Sequence, residues 1–123
     1  MSGKGKTGED IAAGFLEEKG MKIIKRNFRS RAGEIDIIAV DNDVLVFIEV
    51  KNWTKYNIDA LEQAINRKKQ NKIIETSKYF LCLHREYRYM AIRFDIIFIS
   101  SLEKPGDESA GIRHLASVFT ECV

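Results

Sequence analysis

The sequence contains few of the residues that define disulfide-rich or zinc-binding proteins. Its 123 residues include one proline, two cysteines and two histidines. Cys82 and Cys122 are far apart and form no Cys-x-x-Cys pair, and His84 and His114 lack the spacing typical of metal ligands. We therefore expect neither a disulfide framework nor a structural zinc site.

Long apolar runs and a large excess of one charge are also missing. No apolar stretch approaches the roughly 18 residues that a membrane span requires, and residues 1–6 lead into no apolar signal core. Lys and Arg total 20 against 18 Asp and Glu, so the net charge of +2 does not by itself indicate a nucleic-acid-binding protein. These absences favour a cytoplasmic protein with no membrane partner.

The length of the chain suits one domain with a proper hydrophobic core. We predict a single domain over residues 1–123, with a flexible N-terminus at 1–6 and a C-terminal appendage at 107–123. Weak helical periodicity in that appendage predicts a short helix that docks on the rest of the molecule.

Most of the chain shows clear helical or strand periodicity. A helix is predicted between Thr7, an N-cap that forms a partial capping box with Asp10, and Gly20, as a left-handed cap. Residues 21–28 alternate as a half-exposed strand, 58–83 have the apolar stripe of a long helix, and 93–99 form a well-covered strand. Together with the hairpin described next, this order predicts an α/β sandwich with a mixed sheet.

Residues 33–40 and 44–51 are rich in β-branched and aromatic residues and predict a β-hairpin. Asp41-Asn42-Asp43 between them tolerates a tight reversal. If Asn42 and Asp43 form a two-residue loop, Asp41 pairs with Val44 and fixes the register of both strands.

The predicted hairpin carries charged residues in strands that are otherwise apolar. Its register places Asp36 opposite Glu49, with Cβ atoms about 4.5–5.5 Å apart. Two carboxylates at that distance repel each other unless a proton or a cation lies between them. Because Mg²⁺ prefers carboxylate, water and phosphate oxygens, we predict a divalent-metal site at Asp36 and Glu49. Glu34 shares a strand face with Asp36, and Lys51 shares one with Glu49.

These residues resemble the signature of the restriction-endonuclease-like superfamily, which has an Asp on one strand and Glu-x-Lys on the next. Here the match is Asp36 with Glu49-Val50-Lys51. The chain is also similar, from about residue 8 to 99, to the YraN-like family of small bacterial proteins placed in that superfamily. The segments that carry this similarity are Gly8-Glu9, Asn27-Phe28-Arg29, Gly33-Glu34-Ile35-Asp36 and Phe47-Ile48-Glu49-Val50-Lys51.

The resemblance implies a three-layer α/β sandwich with a restriction-endonuclease-like core and a Mg²⁺- or Mn²⁺-dependent nuclease acting on DNA. Branched, nicked or damaged DNA is the substrate class that we expect, in repair or recombination. Asp36 and Glu49 would hold the metal, and Lys51 would orient a water and offset developing charge. Glu9 and Glu34 would be secondary contacts to metal or water.

Several residues have two interpretations. Glu9 either interacts with its helix N-terminus or, as the resemblance implies, completes the metal site. Gln63 and Lys69 are either auxiliary site residues, again by resemblance, or part of a solvated helix surface. Asp95 is expected to make a structural bond or ion pair. Basic residues that would contact phosphate, or simply face solvent, are Arg26, Arg29, Arg31, Arg67, Lys68, Lys69 and Lys72.

Two other functions are compatible with the same sequence. One is a nucleic-acid-binding module that has the fold without the catalysis. The other is an assembly protein in which Asp36, Glu49 and Lys51 form a buried ion-pair network, although such networks are weak contributors to stability. The sequence also leaves a homodimer open.

Overall fold

The computed structural model of the chain describes residues 7–53, 66–100 and 111–119. Residues 1–6 and Gln63 lie outside these ranges. Within them, no helix is both long and apolar enough to cross a membrane. The elements in chain order are α1 (Gly8–Glu18), β1 (Lys22–Arg29), β2 (Glu34–Asp41), β3 (Val44–Trp53), α2 (Arg67–Leu83), a 3₁₀ turn (Arg85–Tyr87), β4 (Ala91–Ser100) and β5 (Ile112–Phe119).

Helix α1 begins and ends as predicted. The Thr7 hydroxyl accepts a hydrogen bond from the Asp10 amide at 3.1 Å, and the Asp10 carboxylate accepts one from the Thr7 amide at 3.2 Å. This capping box satisfies two amides at the start of the helix. At the other end, Gly20 adopts a φ of 92°, which glycine accommodates without strain.

The five strands of the described residues form one mixed sheet in the order β1-β2-β3-β4-β5. Adjacent strands are antiparallel except β3 and β4, which are parallel. Helix α1 buries Ala12 and Leu16 against one sheet face, while α2 buries Ile74 and Phe80 against the other. The predicted three-layer α/β sandwich is therefore confirmed, and it is compatible with a restriction-endonuclease-like core.

The β2–β3 hairpin has the predicted register. Asp41 pairs with Val44, and the ladder continues to the pair of Ile37 and Ile48. The loop is two residues long, and Asn42 adopts a φ of 56°, a conformation that asparagine tolerates better than most residues.

The predicted helix over residues 58–83 is wrong at Asn66. This residue is extended, with φ −63° and ψ 163°, and its side-chain oxygen accepts a hydrogen bond from the Lys69 amide at 3.0 Å. Asn66 is thus an N-cap, and α2 begins after it because the capping bond competes with continued helix. Residues 58–65 lie outside the described part of the chain. The rest of the predicted stripe is correct, since Ile73, Thr76 and Phe80 are buried.

The C-terminal segment forms a strand where a docked helix was predicted. β5 pairs antiparallel with β4, so residues 112–119 belong to the sheet and are not an appendage. Leu115 and Val118 pack against Ile96 and Phe98. An irregular register and a φ of 54° at Ser117 interrupt the alternation of β5, which explains why its sequence lacks a strand pattern.

Candidate metal and phosphate site

Asp36 lies where the β2–β3 backbone ladder ends. The last backbone pair is Ile37 with Ile48, one position short of Asp36 and Glu49. Beyond that pair, the Asp36 carboxylate accepts a hydrogen bond from the Val50 amide at 2.7 Å. The side chain therefore replaces a strand carbonyl as acceptor and holds Asp36 against the Glu49–Lys51 segment.

The electrostatic environment of Asp36 disfavours its ionised form. The pKa of Asp36 is raised to about 6, first by burial and then by the neighbouring carboxylates Glu49, Glu34 and Glu9, against the lowering effect of the Val50 amide. A carboxylate in this setting gains from a nearby cation.

The two carboxylate oxygens of Glu49 differ in their contacts. Its Oε1 lies 3.7 Å from the Lys51 ammonium nitrogen. Its Oε2 is buried and makes no hydrogen bond within the described residues. Leaving a buried carboxylate oxygen unpaired costs more than an ordinary hydrogen bond contributes, so a water or a cation at this atom would lower that cost. Together with Asp36, this oxygen fits a hard divalent cation.

Helix α2 brings a second lysine to the site. Lys69 lies beside Lys51, whose amine lowers the pKa of Lys69 most; burial adds to the effect, and Glu49 opposes it. Lys72 is a further positive neighbour. Such a cluster of amines next to paired carboxylates suits an anion bound together with a cation. Lys69 thus joins the predicted site geometrically, whereas the other auxiliary candidate, Gln63, is outside the described residues.

Glu9 faces the same cleft as Asp36, but its carboxylate is already paired. Glu9, Asp36, Arg26 and Asn27 all line this cleft. Glu9 Oε1 accepts hydrogen bonds from Arg26 Nε and from Asn27 Nδ2, each at 2.9 Å. In the described parts of the chain no three His, Cys, Asp or Glu side chains are gathered closely enough to hold a metal. The carboxylates around the cleft are therefore near one another without forming a closed ligand set.

The predicted phosphate-binding residues fall into two groups. Arg26 and Arg29 are paired with acids, Arg29 with Glu34 at 2.7 Å, although the Arg29 side chain is 77% exposed. The others lie on the turn after β1 or the first turns of α2. Arg31, Arg67, Lys68 and Lys72 are exposed, and Lys69 is half-buried.

The turn after β1 packs against α2 and joins these basic segments. Ser30 and Thr76 share a hydrogen bond at 2.9 Å between their hydroxyl oxygens. A Cβ built on Gly33 would lie 3.5 Å from the Lys72 Cβ, so the backbone of the turn passes close to the helix. Arg31 and Lys72, far apart in sequence, therefore border one surface.

Asp95 has the structural role predicted for it. Its buried carboxylate accepts hydrogen bonds from Arg93 at 3.0 Å and from the Ser117 amide at 3.0 Å, and lies 2.7 Å from His114 Nε2. Burial alone would raise the pKa of Asp95, but the bonds from His114, Arg93 and Ser117 lower it overall. The ionised form is thus fully satisfied, in contrast to Glu49.

Sequence reasoning missed the contacts of Arg26 and Asn27 with Glu9. The sequence predicts that Arg26 contacts phosphate or faces solvent, and Asn27 enters only through the family resemblance. The partner Glu9 is 17 residues away from Arg26 on another element, so no local pattern reveals the pair. An asparagine in the middle of a strand was the one available signal, because Asn27 adopts the left-handed φ of 54°.

The family model described as "Uncharacterised protein family UPF0102" matches residues 8–99. The chain belongs to this family. The match spans Glu9, Asp36, Glu49 and Lys69, and it coincides with the range over which the sequence resembles YraN-like proteins. The predicted family membership is therefore confirmed.

Relatives in the UPF0102 family cover between about three quarters and nearly all of the chain. A UPF0102 protein of Treponema denticola is 42% identical over 99% of this chain and 98% of its own length. One from Treponema pallidum is 40% identical over 97% and 94%, and one from Persephonella marina is 47% identical over 78% and 82%.

Proposed function

We propose that this UPF0102 protein is a metal-dependent phosphodiesterase that cleaves DNA. The observation that carries the proposal is the buried Oε2 of Glu49, which no described residue hydrogen-bonds, together with the neighbouring Asp36, whose pKa is raised to about 6. A folded protein retains such a costly arrangement where a ligand relieves it.

Asp36 and Glu49 would hold Mg²⁺ or Mn²⁺, since both offer carboxylate oxygens and no soft ligand is needed. When bound, the cation supplies polarisation of a phosphate oxygen and an activated water. The Val50 amide fixes the orientation of Asp36 through their 2.7 Å bond. Glu34 is held by Arg29 and contributes negative charge near Asp36.

Lys51 and Lys69 would bind the scissile phosphate. Lys51 is tethered to Glu49 at 3.7 Å, so its ammonium stays at the carboxylate pair without competing as a ligand. Lys69 approaches Lys51 from α2, and a phosphate between the two amines would relieve their repulsion. Lysines placed in this way stabilise the charge that develops on phosphate oxygens during displacement.

The substrate class that we propose is branched, nicked or damaged DNA. The described residues form one sheet with its two flanking helices and include no separate recognition domain. The basic surface around Arg31 and Lys72 would contact the phosphate backbone, which carries no sequence information. A site of this kind would select DNA by the shape of the DNA and by the access that this shape gives to the phosphate backbone.

The assembly-protein alternative fits the site less well. A structural ion-pair network should satisfy its buried oxygens, as the Asp95 cluster does. Glu49 Oε2 is not satisfied in this way by the described residues.

The test is incubation of the purified protein with linear, nicked, flapped and four-way-junction DNAs, with Mg²⁺, Mn²⁺ or EDTA. We expect metal-dependent cleavage that the Glu49→Gln variant loses. Glu75→Gln is the matched control, because Glu75 is an exposed acid on α2. Binding of DNA without cleavage under any condition would favour the non-catalytic binding module.

A further inference from the structure

Glu9 borders the cleft of Asp36 but is bound elsewhere. Its negative charge raises the pKa of Asp36, which places the two carboxylates within electrostatic reach. Both line the same cleft. Yet Glu9 directs Oε1 to donors on β1 and joins no set of three metal-ligating side chains in the described residues.

Two adjacent residues of β1 hold Glu9. Arg26 donates from Nε at 2.9 Å, and its Nη2 also lies 2.9 Å from the same oxygen. Asn27 donates from Nδ2 at 2.9 Å. Successive side chains of a regular strand point to opposite faces, so both could not normally reach one atom. The left-handed φ of 54° at Asn27 breaks that alternation and allows the double contact.

Arg26 is also a residue of this cleft that a phosphate group would bind. Its guanidinium joins Glu9 to Asp10, with the Asp10 bond at 2.6 Å, and its side chain is 37% exposed at the cleft. Guanidinium groups bind phosphate oxygens in the same forked geometry that they use for carboxylates. A phosphate backbone that enters the cleft therefore competes directly with Glu9 for Arg26.

We propose that Arg26 is a substrate-operated latch on Glu9. Without nucleic acid, Arg26 and Asn27 hold the Glu9 carboxylate away from Asp36. When a backbone phosphate engages Arg26, Glu9 is released toward the cation at Asp36 and Glu49 and strengthens its binding. The latch rests on the proposed metal site. Arg26 is then a positioning residue that couples substrate binding to metal binding.

The first measurement is Mn²⁺ affinity by calorimetry without DNA. Arg26→Met should bind Mn²⁺ more tightly than wild type, by about 5- to 150-fold if the coupling is of ordinary size. Removing a positive charge would itself raise affinity somewhat, so the change is repeated in a Glu9→Gln background. The latch requires most of the gain to disappear there. An equal gain in both backgrounds would overturn it.

Two further variants separate the latch from the general effect of removing a positive charge. Lys25→Met removes the same charge from the neighbouring position of β1. Lys25 pairs with Ile38, on the sheet face opposite to that of Arg26. It should leave Mn²⁺ affinity near that of wild type. Asn27→Gly keeps the left-handed backbone accessible and removes the second donor to Glu9, so it should also raise Mn²⁺ affinity. If Arg26→Met does not fold, the Mn²⁺ affinity of Asn27→Gly tests the latch in its place.

The second measurement adds a nicked DNA duplex in a Lys51→Ala background, chosen to suppress cleavage. DNA should raise Mn²⁺ affinity when Arg26 is present and much less in Arg26→Met. If no variant binds Mn²⁺ at all, the proposed metal site fails and the latch with it. If Mn²⁺ binds but DNA enhances its affinity equally with and without Arg26, the latch alone is wrong.

Discussion

Lys51 is the residue at which metal binding and catalysis can be separated. Its ammonium lies 3.7 Å from Glu49 and beside Lys69, and a cation does not coordinate a metal. Lys51→Ala should leave Mn²⁺ affinity unchanged or higher and most DNA binding intact. Cleavage should fall by about 10²–10³-fold, the usual cost of losing one preorganised electrostatic contact.

Single-turnover cleavage and calorimetry on the same preparations check this prediction. Lys78→Ala is a suitable control, since Lys78 is an exposed lysine of α2 paired with Glu75 at 3.6 Å. Equal cleavage rates in Lys51→Ala and wild type would remove Lys51 from the site.

Asp36 makes the stability of the metal-free protein depend on pH. Its pKa is about 6 in the folded protein, against the ordinary value of 3.8 for an aspartate side chain. Between these pH values the folded state retains a proton that the unfolded state has lost, so stability falls as pH rises. The loss reaches about 3 kcal/mol at most above pH 6.

The Asp36→Asn variant should lack this loss and still accept the Val50 hydrogen bond. Urea unfolding in EDTA between pH 4 and pH 7 is the measurement. We expect the variant to gain stability over wild type as pH rises and to lose Mn²⁺ affinity. Parallel stability profiles, or equal affinity, would contradict the assignment.

Asp95 is a buried carboxylate that stabilises the fold. Asp95→Ala would leave Arg93 and His114 without their shared partner and should cost about 3–5 kcal/mol in unfolding free energy. Glu75→Ala, which removes an exposed ion pair with Lys78, should cost less than about 1 kcal/mol. Chemical denaturation compares the two, and similar losses would show that the Asp95 cluster contributes little.

At the scale of the elements, the start of α2 is the feature most open to test. Asn66→Ala should destabilise the protein by about 1 kcal/mol, because the Lys69 amide loses its capping oxygen. If a single helix ran through this position, alanine would be neutral or stabilising. Urea unfolding followed by circular dichroism distinguishes these results by their sign.

The elements that sequence predicted correctly are those defined by adjacent residues. The capping box of Thr7 and Asp10 and the two-residue loop at Asn42-Asp43 are local, and the loop fixed the register that brings Asp36 to β3. The start of α2 was missed because asparagine occurs both inside helices and as a cap. Strand β5 was missed because the irregularity at Ser117 hides its alternation.

The candidate site was predicted only as far as the hairpin reaches. Asp36, Glu49 and Lys51 lie on two strands joined by a short loop, so alternation and register suffice to place them. The approach of Lys69 depends on how α2 crosses the sheet, and the pairing of Glu9 with Arg26 depends on packing of α1 against β1. Neither is encoded by local spacing.

At the scale of the whole molecule, a net charge of +2 hides an uneven distribution of charge. Arg31, Arg67, Lys68 and Lys72 are exposed on the turn after β1 and the first turns of α2. DNA affinity should therefore fall steeply with salt, and Lys72→Ala should reduce the slope of log affinity against log salt by about 1.

Lys22→Ala is the control, because Lys22 pairs with Val40 at the far end of β1. Fluorescence anisotropy between low and physiological salt gives the slopes. A flat response in wild type, or no binding to DNA or RNA, would favour an assembly role.

The two kinds of strand pairing in the sheet have a consequence for folding kinetics. A two-residue loop joins β2 to β3, whereas the chain passes through α2 before β4 can pair with β3. Local pairs form earlier because closing a long loop is entropically slower. We therefore expect Asp36 and Glu49 to be brought together early, before β4 and β5 complete the sheet. Their repulsion should consequently slow folding more than it speeds unfolding, and a bound divalent cation should mainly accelerate folding.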